Sequence, residues 1–123
     1  MVFDHIGISV KDFPKARAFY LQALAPLGIR VIKETAQWAM LGRPGEGDLW
    51  IGAFGTPTSP IHMAFNASTR EQVRQFHAAA LRAGARDNGA PGLRPNYHAN
   101  YFGAFVIDLD GHNIEAVCHS LEG

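Results

Sequence analysis

A single cysteine, Cys118, rules out a disulfide within these 123 residues and suits a reducing compartment. Neither sign of charge dominates: 11 Lys and Arg stand against 11 Asp and Glu. That leaves no electrostatic footprint for nucleic acid or for an anionic membrane. No stretch approaches the roughly 20 apolar residues of a membrane span. Asp4 and His5 stand where an export signal needs basic and apolar residues, so none is expected. With 18% charged and 47% hydrophobic residues, the chain has the composition of a globular core and not of a disordered segment. Its length fits one domain, 1–123, that is soluble and cytoplasmic.

Hydrophobic periodicity divides the chain. Residues Val2–Val10 alternate, with Ile6, Ile8 and Val10 on one face and His5, Gly7 and Ser9 on the other, as in a half-buried strand. Asp12 can cap the helix that follows; Ala16, Phe19, Tyr20, Ala23, Leu24 and Leu27 keep its 3.6 period, and Gly28 stops it. Strands are predicted at Ile29–Lys33, Trp38–Leu41 and Leu49–Phe54, with a loop at 42–47 and a linker at Thr56–Pro60. Another strand, Ile61–Phe65, precedes a helix opened by a Ser68/Glu71 capping box, running through Val73, Phe76, Ala80 and Leu81 to Gly84. The Gly-, Pro- and Asn-rich stretch Asp87–Asn96 shows no strand. Phe102–Ile107 and Ile114–Cys118 flank an Asp110-Gly111 turn and read as a hairpin.

The order β-α-β-β-β thus occurs in the first half, and again in the second if a strand hides after Gly84. His5 and His62 stand 57 positions apart, as do Phe19 and Phe76, and Gly28 and Gly84 keep nearly the same spacing. This is an internal repeat. The expected fold class is α+β: two tandem βαβββ modules, about 1–56 and 61–120, whose sheets pair into one open cup or half-barrel. In the closing strand Glu115 lies among Ile114, Ala116 and Val117, where an ionised carboxylate needs a partner or a metal.

The segments DHIGISVKDFPKARAFY, IHMAF and FVIDLDGHNIEAV, spanning nearly the whole chain, resemble the vicinal oxygen chelate superfamily of glyoxalase I, extradiol dioxygenases and the fosfomycin and bleomycin resistance proteins. The family turn, usually Asp-Pro-Asp-Gly-Asn, reads Asp108-Leu109-Asp110-Gly111-His112 here. The resemblance implies metal ligands at His5, His62 and Glu115, holding a divalent Fe, Mn, Ni or Zn ion that chelates adjacent oxygens of a small-molecule substrate. Two imidazoles and a carboxylate suit such an ion and leave positions open. Glyoxalase I needs a fourth ligand from the last strand of the first module. Aligning Gly47 with Gly111 puts Ile51 there, and a one-residue slip puts Trp50; neither can bind a metal or take a proton, so glyoxalase I activity is not expected.

Arg94, Tyr97, His98, Asn100 and Tyr101 precede the hairpin and are expected to rim the cup. His98 and Tyr101 are the catalytic candidates, and Trp50, Arg94, Tyr97 and Asn100 the substrate-binding ones. His119 lies on the Glu115 face, roughly 13 Å along the strand, as a substitute ligand. His77 and His112 are expected at the surface. Trp38 is assigned to the core or a dimer surface, and Leu81 to the helix core. A metal-dependent lyase, isomerase, transferase or dioxygenase is the first reading. The alternative is a metal-free drug-binding protein of the bleomycin-resistance type, and a third a noncatalytic module that keeps the site as a relic. A homodimer is expected, because each module leaves sheet edges to cover.

Overall fold

The computed structural model describes residues 4–56 and 60–121. Val2 and Phe3 of the first predicted strand, and most of the predicted linker, lie outside them. The first module runs β1 (His5–Ser9), α1 (Phe13–Leu24), β2 (Arg30–Glu34), β3 (Trp38–Gly42) and β4 (Asp48–Gly52). The second runs β5 (His62–Asn66), α2 (Arg70–Arg82), β6 (Arg86–Leu93), β7 (Phe102–Ile107) and β8 (Asn113–Cys118). Each forms a four-stranded mixed sheet of the same topology, β1-β4-β3-β2 and β5-β8-β7-β6. Its first strand is parallel to its last, and the remaining pairings are antiparallel. The two modules form an open α+β cup and not a closed barrel.

Side-chain alternation decides what each strand buries. Ile8, Leu49, Ile51, Ala104, Val106, Ile114, Ala116 and Cys118 face the helices, and all join the core. The opposite faces carry His5, Trp50 and Trp38 in the first module and His62, Phe105 and Glu115 in the second. Asp12 caps α1 by accepting from the Lys15 N–H at 3.1 Å. Gly28 and Gly84, at φ 77° and 110°, take the left-handed conformation that ends each helical segment and that side chains resist.

Four sequence expectations change. β6 exists despite its composition: it is an edge strand, and Pro91 falls where its register with β7 shifts between Gly89 and Gly92, the place a sheet tolerates proline. The α2 cap is Thr69, which accepts from the Gln72 N–H at 3.1 Å, while Gln72 Oε1 takes the Ser68 N–H at 2.7 Å; the cap sits one residue beyond Ser68. Leu81 is 38% exposed, on the outer side of α2. Both histidines assigned to the surface are buried. His77 bonds Asp87 at 2.9 Å, and His112 Nδ1 accepts from the Ile61 N–H at 3.0 Å.

The β7–β8 turn fastens the second module to the first. Asp108 Oδ1 accepts from the backbone of Asp110 and His112 at 2.9 and 2.8 Å, and its Oδ2 accepts from the buried Tyr20 hydroxyl of α1. Asp110 Oδ1 takes the Lys11 N–H at 3.1 Å. Burial first, then Asp108, raises the Tyr20 hydroxyl well above its ordinary 10.0. The folded chain therefore holds this proton more tightly than the unfolded chain. The Tyr20 contribution to stability is full below pH 10.0 and falls as pH rises beyond it. Tyr20→Phe is expected to lose about 1–3 kcal/mol at neutral pH and to flatten the alkaline decline, both read from urea unfolding across pH. Equal alkaline slopes in the two proteins would assign that decline to other groups.

Candidate functional site

β8 presents Glu115 to the open face of the second sheet, yet the residue is only 1% exposed. Room for it comes from Gly103 on β7, where an added Cβ would stand 3.1 Å from Glu115 Oε2 and 3.2 Å from the Tyr101 ring. The Tyr101 hydroxyl donates to Oε2. Burial, followed by Glu115 itself, raises the Tyr101 hydroxyl well above its usual range, so it remains a protonated donor at neutral pH. His62 Nε2 lies 3.0 Å from Oε1. Both carboxylate oxygens are thus engaged.

The other nitrogen of His62 decides the nature of that contact. Nδ1 lies 3.2 Å from the Asn113 carbonyl, which can only accept, so Nδ1 carries a hydrogen. In the neutral ring Nε2 then offers a lone pair to a carboxylate oxygen. Two acceptors at that distance repel unless a proton lies between them or a cation beside them binds both. A backbone carbonyl on the far nitrogen is also the usual way a protein aims a histidine at a metal.

His5 repeats half of this arrangement in the first module. Its Nδ1 bonds the Asp4 carboxylate at 2.8 Å, which likewise turns the Nε2 lone pair outward. Its ring lies on Trp50, with centroids 4.8 Å apart, and Trp50 stacks on Trp38 at 5.2 Å. The register places Trp50 opposite Gly7 and Glu115 opposite Ala64. Trp50, not Ile51, is therefore the positional counterpart of Glu115. His5 does not join His62 and Glu115: among the described residues no three His, Cys, Asp or Glu side chains converge closely enough to hold an ion. One copy supplies two donors, and the fit to a divalent ion stops there.

Around this pair, Arg94 lies over the Phe105 ring at 5.4 Å and is held by the Ala90 carbonyl at 2.7 Å. Phe105 also faces the His62 ring, at 6.1 Å. Tyr97 packs on Tyr101 at 4.8 Å. Both nitrogens of His98 are engaged, Nδ1 by the Asn100 backbone N–H at 3.1 Å and Nε2 by His119 Nδ1 at 2.8 Å. Tyr101 thus touches Glu115 and has Tyr97 and His98 against its ring, Asn100 bonds His98 through its backbone, and Arg94 reaches the same sheet at Phe105, whereas Trp50 lies on the other sheet with His5. A cleft of about 280 Å³ between the modules has an apolar floor including Leu41, Leu49 and Phe65, with His62, Arg43 and Asp48 among its polar lining. Sequence reasoning missed His119 as a partner of His98; their 21-residue separation carries no local signal.

Comparison with known proteins places this geometry. The profile of the Glyoxalase/Bleomycin resistance protein/Dioxygenase superfamily matches residues 2–116. Among solved structures, a glyoxalase/bleomycin resistance protein from Albidiferax ferrireducens T118 is 26% identical, with TM-score 0.83 over 96% of this chain and 98% of that one. A glyoxalase/bleomycin resistance protein/dioxygenase family enzyme from Burkholderia phytofirmans PsJN is 19% identical, with TM-score 0.74 over 95% and 98%. Oxidase ChaP-H2 is 19% identical, with TM-score 0.71 over 100% and 96%; these last two likenesses concern the fold. A search of curated protein sequences gives no match. With the duplicated βαβββ topology and a profile match over nearly its whole length, the chain belongs to the glyoxalase/bleomycin resistance/dioxygenase superfamily.

Proposed function

We propose that the protein is a divalent-metal-dependent enzyme acting on a small substrate that offers two adjacent oxygens. His62 and Glu115 are two ligands of its ion, and His5 of a second copy is the third, which makes the working unit a homodimer. One observation carries the reading: His62 Nε2, with its other nitrogen on the Asn113 carbonyl, stands 3.0 Å from a buried carboxylate oxygen, a contact that calls for a positive charge shared by the two. A bound divalent ion would act there as a Lewis acid on a substrate oxygen.

The chain's own groups have separate tasks in this reading. Tyr101 keeps its proton and holds Glu115 Oε2 in place. Arg94 offers a cation to an anionic part of the substrate, and Phe105, Tyr97 and Asn100 shape the surface around it. His98 serves proton transfer when its bond to His119 opens. A second reading, a metal-free cup that sequesters a small molecule such as a drug, draws support from Trp50, a bulky indole at the position equivalent to Glu115.

Metal analysis of purified protein separates the two. Bound divalent metal that is lost in both His62→Ala and His5→Ala is the expected result, with a dimer in sedimentation. Wild-type protein that binds no added Mn²⁺, Ni²⁺ or Zn²⁺ would overturn the enzyme reading in favour of the binder.

A further inference from the structure

The cleft between the modules is built with one charge left over. Its floor is apolar: Ile29, Leu41 and Leu49 of the first module meet Met63 and Phe65 of the second. Five successive residues of β5, His62–Asn66, line the far wall. Side chains alternate along a strand, so an unbroken run of five means that the strand's edge itself faces the opening. β5 pairs with β8 alone, which leaves backbone groups on that edge without a second strand to bond them.

The charges of the lining cancel, except one. Arg43 donates from Nη1 to the Leu27 and Asn66 carbonyls, at 3.0 and 3.4 Å, and from Nη2 to Glu46 at 2.9 Å. Arg43 and Glu46 therefore offset each other, and the guanidinium straps the two modules together. His62 is turned to Asn113 and Glu115. Asp48 alone has neither a hydrogen bond nor an ion pair on its carboxylate among the described residues. Its place is prepared: an added Cβ at Gly42 would stand 2.5 Å from Asp48 Oδ1, as one at Gly103 would crowd Glu115. A side chain at position 42 would push this carboxylate aside.

We propose that the cleft is a binding site for a small amphipathic amine, its ammonium on Asp48 and its hydrocarbon body on Leu41, Leu49 and Phe65. An unpaired carboxylate beside an apolar floor calls for a cation that carries an apolar body. An ammonium suits it better than a metal ion, because no second free acid stands with Asp48. The three N–H donors of an ammonium can divide between that carboxylate and the edge carbonyls of β5. At about 280 Å³ the cleft sits at the lower end of small-ligand pockets, which suits one short chain or a single ring. The site needs no metal and stands whether or not His62 and Glu115 hold one.

Hexylamine is the probe, titrated into chelator-treated protein, with hexanol and hexanoate as controls that share its tail. Hexylamine is expected to move the backbone amide resonances of Leu41, Asp48, Leu49 and Phe65 and to leave that of Tyr101 in place. Shortening the tail should weaken binding about fourfold per methylene. Asp48→Asn should weaken hexylamine by about tenfold, the loss of a charged hydrogen bond, bring it level with hexanol and leave the thermal midpoint unchanged. Hexanol or hexanoate binding as tightly as hexylamine, undiminished affinity in Asp48→Asn, or no shift at the cleft would each overturn the proposal. The last result, in a protein that sediments as a dimer, would assign the cleft to the second copy. Mn²⁺ binding that ignores His62→Ala ends the metal reading and leaves this site intact.

Discussion

Glu115→Gln is expected to weaken divalent-metal binding more than any other isosteric change in the chain. Losing a group that merely orients a ligand typically costs 10–100-fold in metal affinity; removing the only buried carboxylate of the site should exceed that, by calorimetry with Mn²⁺ or Zn²⁺. The fold should survive. Glutamine keeps the volume beside Gly103, and its carbonyl can still accept from Tyr101, the partner that now takes Oε2. The thermal midpoint should remain close to that of the wild type, because an ionised carboxylate at 1% exposure carries a desolvation cost that the amide lacks. Metal affinity that is indifferent to the change would reduce His62 and Glu115 to an ordinary ion pair.

Phe76→Ala should produce the largest loss of stability, about 3–5 kcal/mol. Phe76 is 0% exposed on α2 and belongs to the same buried cluster as Phe19, Tyr20 and Leu24 of α1. The cavity would open in the core shared by both modules, where surrounding side chains are themselves fully buried and have little freedom to collapse. Against a total of about 5–15 kcal/mol for a typical domain, such a loss should leave a measurable unfolded fraction at 37 °C. Denaturant midpoints read the effect, and a change below about 1 kcal/mol, typical of surface sites, would mean that the two modules do not share this core.

Much of the architecture was written in periodicity. Alternation in Ile6–Val10 and the 3.6 period of Ala16–Leu27 identify elements because one face of each is buried. β6 escaped because its hold on β7 is tertiary: a run containing Gly89, Pro91 and Gly92 has no strand preference of its own. Trp50 and Ile51 were ambiguous for a similar reason. The loop before β4 matches the turn before β8 in length, but its glycine, Gly47, sits one place later than Gly111, and only the parallel pairing of β4 with β1 sets the register. At the site, the repeat drew attention to His5, His62 and Glu115, and the fold brings the last two together. Burial of His77 and His112 depends on Asp87 and on the Ile61 N–H, partners that no local pattern announces. The tautomers of His62 and His98 are equally invisible in sequence, being set by the backbone of Asn113 and Asn100.

The ring stack of the first sheet makes the protein its own optical instrument. Its two tryptophans are the only indoles present, and they lie within 7° of parallel, with His5 against one of them. Their emission and circular dichroism should register whatever reaches that imidazole, cation or companion chain, without a label and in ordinary buffer.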